Sequence, residues 1–273
     1  MSEERGATVA FDKLAEIAKI LRSENGYPWD REQNHRSTLN DLLEECYEFF
    51  DAVDKNDSHE MREELGDLFW LVMFQCQLAS EDKRFTLEEV LDDVCKKLVR
   101  RHPHVFENPE SGELALVSNK LSNEDILATW EKIKQSEKGK EYRKSILDGI
   151  PKTLPSLYLA EKIQKKTARY GFDWDGVLEP LKKIEEEIRE FREAVEKGNT
   201  EEKTLEFGDI LFALVNAARH SNVSAEDALR ASIGKFSRRF NYIENSFGYD
   251  ADKLRNAGLE KLDELWNEAK SRE

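Results

Sequence analysis

Apolar residues return every three or four positions along most of the chain. Phe11, Leu14, Ile17 and Leu21 make one stripe, and Leu39, Leu42, Leu43, Cys46, Phe49, Phe50 and Val53 make a second. Leu65, Leu68, Val72 and Gln75, flanked by Phe69 and Met73, make a third. This period puts the apolar residues on one face of an α-helix, and no segment shows the alternation of a half-buried strand. The pattern predicts an all-α protein.

The stripes break where Gly, Pro and small polar residues cluster: "GYPWD" at 26–30, "RRHPHVFENPESG" at 100–112, "DGIPKTLPS" at 148–156 and "GFDWDG" at 171–176. Such clusters end helices and form loops. Residues 107–156 are polar and weakly patterned, with one short helical stretch expected over Ile126 to Ile133. The expected organisation is an N-terminal unit over 1–110, a connector over 111–150 and a C-terminal unit over 151–273, divided near residue 150.

The two units are copies. "EECYEFFDAVDKNDSHEMREELGD" (44–67) aligns without a gap on "EEIREFREAVEKGNTEEKTLEFGD" (186–209), an offset of 186 − 44 = 142, with 11 of 24 positions identical. The identities include five carboxylates beside the apolar face: Glu44, Glu45, Glu48, Glu64 and Asp67 recur as Glu186, Glu187, Glu190, Glu206 and Asp209. Neighbouring positions have diverged, as Cys46 against Ile188, Tyr47 against Arg189 and Phe50 against Arg192 show. The similarity extends outward, from "GYPWD" and "GFDWD" to "TLEEVLDDVCKKLVRR" (86–101) and "SAEDALRASIGKFSRR" (224–239).

Residues three apart share a helix face, so Glu45 pairs with Glu48, and Glu64 with Asp67. The intervening "DKNDS", with Ser58 as the expected N-cap, would fold the two helices into an antiparallel hairpin on which four carboxylates converge. Converging carboxylates repel unless a proton or cation compensates. With no histidine at ligand spacing, the donors are all oxygen, which favours magnesium, or manganese, over zinc or iron. An acidic helix face is more often merely solvated; what weighs against that here is that the carboxylates recur while their neighbours do not. Gly66 and Gly208 cost about 1 kcal/mol of helix propensity relative to Ala, a sign that a helix or ligand approaches there.

Lys97, Arg100 and Arg101 recur as Lys235, Arg238 and Arg239. A basic helix end fits the helix dipole, and beside a carboxylate-bound cation it also fits a polyphosphate. Trp29, Trp174 and Trp266 are candidates to stack on a base, or to pack in small apolar clusters. No Walker-type or GxGxxG loop and no Ser or Cys triad is present.

Composition narrows the class further. A net charge of −15 argues against a nucleic-acid surface, while 39% apolar residues are enough for a packed core. Three cysteines without CxxC spacing, and no apolar run of membrane-spanning length, predict a reduced, cytoplasmic chain outside the membrane.

The combination of EExxE and ExxD with "GYPWDREQNH", "LLEECYEF", "EELGDLFWLVMFQ", "KLVRRHPHVF" and "GFDW" resembles the MazG nucleoside triphosphate pyrophosphohydrolases over nearly the whole chain. The resemblance implies tandem all-α units of four-helix-bundle type, completed by homodimerisation, and magnesium-dependent hydrolysis of nucleoside triphosphates to monophosphate and pyrophosphate, a housecleaning activity on the nucleotide pool. It implies Glu187, Glu190, Glu206 and Asp209 as metal ligands, with Glu45, Glu48, Glu64 and Asp67 as their counterparts. Lys183, Lys235, Arg239 and Trp266 lie where family members contact the nucleotide, and Lys97 and Arg101 match in the first unit. Glu186, with Glu44 as its counterpart, is the candidate general base. In similar two-domain members activity is attributed mainly to the C-terminal unit, yet this chain keeps the acidic set in both. The alternative is a non-catalytic metal- or nucleotide-binding helical scaffold or sensor.

Overall fold

The computed structural model describes residues 2–106, 133 and 144–272; the helix expected over 126–133 lies outside these residues but for Ile133. The chain divides into two compact units, Met1–Lys138 and Gly139–Glu273. Both are helical, and no β-strand occurs among the described residues.

In the first unit α1 (Ser2–Arg22), α2 (Pro28–Glu32), α3 (Leu39–Asp54), α4 (Ser58–Glu81) and α5 (Leu87–Arg101) follow one another. Helices α3 and α4 form an antiparallel hairpin, with α1 and α5 packed on α4. The hairpin turn is built by Asn56, which takes the left-handed conformation at φ 54° that Asn tolerates better than most residues. Asp57, not Ser58, is the N-cap: its Oδ1 accepts from the backbone N–H groups of His59 (2.8 Å) and Glu60 (3.2 Å). One residue earlier, a carboxylate reaches two orphan donors and adds its charge to the positive end of the helix, so it wins over the hydroxyl. Thr86 and Glu89 form a reciprocal capping box at the start of α5.

The second unit repeats the hairpin in α7 (Leu178–Lys197) and α8 (Thr200–His220), preceded by α6 (Ser156–Ala168) and followed by α9 (Ala225–Ser246), α10 (Ala251–Asn256) and α11 (Leu259–Ser271). Gly198 takes the left-handed turn position at φ 74°, as Asn56 does 142 residues earlier, and Asn199 caps α8 through Glu201 and Glu202. Helix α6 packs on α8, and α9 packs on α6, α8 and α11.

Each hairpin closes on a small residue, Ala52 (0% exposed) and Ala194 (3%), which lets the helices approach. Beyond Met73, Phe74, Val99, Val215, Ile243 and Leu265, few large side chains are fully buried. Both hairpins leave an apolar stripe open to solvent: Leu65, Phe69 and Val72 in the first unit, Phe207, Leu211 and Leu214 in the second. A Cβ added at Gly66 or Gly208 would meet nothing within 4 Å among the described residues beyond its own helix, so within each unit the close approach expected of these glycines is not made.

Candidate active site

Each hairpin brings three glutamates together across its two helices. In the first unit these are Glu45 and Glu48 on α3 and Glu64 on α4; in the second, Glu187 and Glu190 on α7 and Glu206 on α8. Within each triad one oxygen from every carboxylate lies within 4.8 Å of the others. Asp67 and Asp209, one helical turn beyond, stand outside the triads and line the adjoining cavities.

The electrostatics of the triads follow from crowding. Burial, a hydrogen bond with Glu64 and the charges of Glu48, Asp67 and Glu64 push Glu45 up to about 7. Glu190 is raised by desolvation and by Glu187. In the second unit a cation intervenes: Lys183 Nζ lies 2.7 Å from Glu187 and 2.9 Å from Glu186, and these partners raise its own pKa. At the offset of 142 residues, the first unit has Asp41 in place of Lys183. An all-carboxylate donor set that raises its own proton affinity fits a hard divalent cation. Glu44 and Glu186 belong to neither triad.

A cavity opens beside each cluster. In the second unit it measures about 470 Å³ and runs from Lys183, Glu187 and Asp209 to Phe172, Trp174, Phe212, Asn216 and Gln164. In the first unit it measures about 220 Å³, between Asp41, Glu45 and Asp67 at one side and Trp29, Trp70, Leu71 and Phe74 at the other. The offset of 142 residues pairs Trp70 with Phe212, Leu71 with Ala213 and Phe74 with Asn216. Larger apolar side chains occupy the first unit's pocket where the second leaves room.

The loop over the larger cavity is pinned from α8. Arg219 binds both carboxylate oxygens of Asp173, and its Nε (3.1 Å) and Nη2 (2.6 Å) both donate to Asn216 Oδ1. The Arg219 guanidinium holds Asp173 down to about 2. Neither Arg219, Asn216 nor Gln164 stands out in the sequence; the available signal was a polar Asn inside the apolar stripe of α8, opposite Phe74 in the repeat.

The remaining expected contacts lie elsewhere. Arg239 stacks over Trp266 (5.4 Å), which also packs on Phe236 (5.1 Å), and Lys235 is exposed on α9; none of the three expected residues lines the 470 Å³ cavity. Lys97 and Arg101, half-buried on α5, do not line the smaller cavity either. Trp29 and Trp174 do line cavities, whereas Trp266 sits in an aromatic group.

Fold and site together define an all-α protein of two related carboxylate-lined helical hairpins, each with a cavity at its acidic edge. Residues 33–106 and 177–243 each match the MazG nucleotide pyrophosphohydrolase domain. The chain is 41% identical to the nucleoside triphosphate pyrophosphohydrolase/pyrophosphatase MazG of Thermotoga maritima, covering 97% of both proteins. It is 38% identical to the nucleoside triphosphate pyrophosphohydrolase of Escherichia coli K12, covering 96% of this chain and 98% of that protein. It is also 42% identical to the uncharacterized protein YabN of Bacillus subtilis, of which it covers 54%. The chain belongs to the MazG nucleotide pyrophosphohydrolase family.

Proposed function

We propose that the chain hydrolyses nucleoside triphosphates to monophosphate and pyrophosphate, and that the second unit carries the reaction. The observation that carries this reading is the Glu187, Glu190 and Glu206 triad with Lys183 at its rim, opening on a cavity of about 470 Å³. That volume lies within the range of small-molecule sites. The relatives named for this activity over nearly their full lengths support it.

In this reading Glu187, Glu190, Glu206 and Asp209 hold magnesium, or manganese. When bound, such a cation lowers the pKa of a water and screens the leaving pyrophosphate. Glu186 accepts the proton of the water that attacks the α-phosphorus, and the bond from that phosphorus to the bridging oxygen breaks. Lys183 bridges Glu186 and Glu187 in the free protein. An incoming triphosphate competes for its ammonium and frees Glu186 to act as base. Lys235 and Arg239 neutralise triphosphate charge and Trp266 meets the nucleotide once a second copy of the chain completes the bundle.

One observation favours a different role for the first unit. It keeps Glu45, Glu48, Glu64 and Asp67, but Asp41 replaces the lysine and Trp70, Leu71 and Phe74 narrow the cavity. We assign it the scaffold role: a cation-holding copy, with Glu44 idle and Lys97 and Arg101 without a triphosphate to bind.

The test is pyrophosphate release from a panel of nucleoside triphosphates with magnesium. Glu187→Gln/Glu190→Gln should lower turnover at least a hundredfold, and Glu45→Gln/Glu48→Gln by less than tenfold, a gap of about 1.4 kcal/mol per decade. Equal losses would mean two working sites, and no pyrophosphate from the wild type under any divalent ion would leave the binding scaffold standing.

A further inference from the structure

The hydrolytic chemistry leaves one group of charges beside the larger cavity unused. Residues 171–176 form no helix and run between Gly171 and Gly176, both at positive φ (84° and 92°). Phe172 (82% exposed) and Trp174 (43% exposed) line the cavity from this segment, so burial of their rings holds it only weakly. Among the described residues, positions 172–175 hydrogen-bond to the rest of the unit at two points. The Phe172 N–H reaches the Thr167 carbonyl at a long 3.3 Å, and the Asp173 carboxylate reaches the end of α8. There Arg219 grips both carboxylate oxygens, Nη1 at 2.9 Å, and His220 Nε2 lies 3.0 Å from Oδ1. The guanidinium is itself fixed, since Nε and Nη2 donate to the buried Asn216. A planar fork held by Asn216 on one edge and by Asp173 on another defines an orientation as well as a contact.

The first unit solves the same problem with different residues. Aligning "GFDWD" on "GYPWD" puts Pro28 at the place of Asp173, and the offset of 142 puts Gln77 at Arg219 and Leu78 at His220. The matching segment there is helix α2, and Arg22 of α1 holds it by donating to the backbone oxygens of Asp30 and Gln33 while paired with Glu81. Each unit thus anchors the segment beside its cavity through an arginine, and only the second does so from the carboxylate-bearing helix α8.

From this we infer that Arg219 is a positioning residue of the second unit: through Asp173 it holds residues 171–176 as a preformed wall of the substrate cavity. The inference rests on the pyrophosphohydrolase reading for the presence of a nucleotide there. A wall in place before the nucleotide arrives lets it bind without first ordering a loop. Released from Arg219, the segment occupies the competent position for only part of the time, and the apparent affinity falls by that fraction. The triad and Lys183 stand on the α7–α8 hairpin and keep their places, so a substrate once bound still reacts at its normal rate.

The experiment uses Asp173→Ala, which cuts the tether on the loop and leaves the contact of Arg219 with Asn216 inside the unit intact. With UTP and magnesium, KM should rise about tenfold or more while kcat stays within about threefold. A merely structural ion pair would instead lower thermal stability and the active fraction, which reads as a smaller kcat at unchanged KM. Arg219→Lys keeps the charge but not the fork and should show the same split. Combined with Asp173→Ala it should add nothing, because both changes break one contact. Where the wild type releases pyrophosphate, an unchanged KM in Asp173→Ala overturns the inference. Nicking by chymotrypsin after Phe172 and Trp174 reads the loop without turnover: at equal helical content by circular dichroism, Asp173→Ala should be cut about fivefold faster or more. Where the wild type releases no pyrophosphate, nicking decides alone; faster cutting upholds the anchored wall and rejects only the reaction, and equal cutting refutes the wall.

Discussion

Two exchanges at the residue level distinguish sites that share the same carboxylates. Lys183 against Asp41 sets the charge beside the triad, and Asn216 against Phe74 sets the polarity and volume of the cavity. The first unit has Asp41 where the second has Lys183, and there the Glu45 carboxyl is raised to about 7 by burial, by its hydrogen bond with Glu64 and by the charges of Glu48, Asp67 and Glu64. A carboxylate in the unfolded chain titrates near its ordinary value, so the folded state takes up a proton more readily over the interval between that value and about 7. In chelator-treated protein this contribution to stability is fully present below about pH 4.5 and is lost as the pH rises through about 7. Millimolar magnesium should offset the loss at pH 8, where the carboxylates are ionised. Thermal melts at pH 6 and pH 8, with and without magnesium, test this; a Glu45→Gln variant should show a smaller pH difference than the wild type, and an equal one would refute the assignment.

At the level of elements, the helices and the hairpin repeat were legible because a 3.6-residue period survives over whole segments, and because the identities at a fixed offset select the carboxylates. The repeat pattern alone therefore marks the glutamates that the two hairpins bring together. The cap was not. Ser58 and Asp57 are both good N-cap residues, and only the backbone shows that the carboxylate accepts from His59 and Glu60. The cavity was illegible for a related reason, since its size depends on how far a single side chain reaches from α8 and on where the loop carrying Phe172 and Trp174 is pinned by Arg219. Because the turn orients the two carboxylate-bearing helices, cap loss should act on the site as well as on stability. Asp57→Ala and Asn199→Ala are each expected to cost about 1 kcal/mol in denaturant melts, and a change under about 0.3 kcal/mol would show that hairpin packing alone fixes the turn.

For the whole molecule, the deciding feature is what the chain leaves uncovered. Leu65, Phe69 and Val72 on α4 are 42%, 57% and 47% exposed, and Phe207, Leu211 and Leu214 on α8 are 50%, 39% and 45% exposed. These two sets occupy the same repeat positions at i, i+4 and i+7, so one stripe is open twice. Contiguous apolar surface of this kind is unfavourable in water and marks an interface. Beside each stripe lies a glycine, Gly66 or Gly208, at which an added Cβ would meet nothing within 4 Å among the described residues beyond its own helix. A stripe at helical period with a glycine at its edge fits another helix packed closely, and a two-helix hairpin becomes a four-helix bundle by receiving a second hairpin. We therefore propose that the chain works as a homodimer, with symmetry placing identical stripes against one another. Sedimentation at micromolar concentration should give twice the 31.7 kDa of a single chain. Leu211→Glu, which puts a charge into the stripe without touching a carboxylate of the triad, should shift the protein towards monomer and reduce pyrophosphate release with it. A wild type that sediments as a single chain would remove the dimer, and with it the route by which Lys235, Arg239 and Trp266 reach the nucleotide.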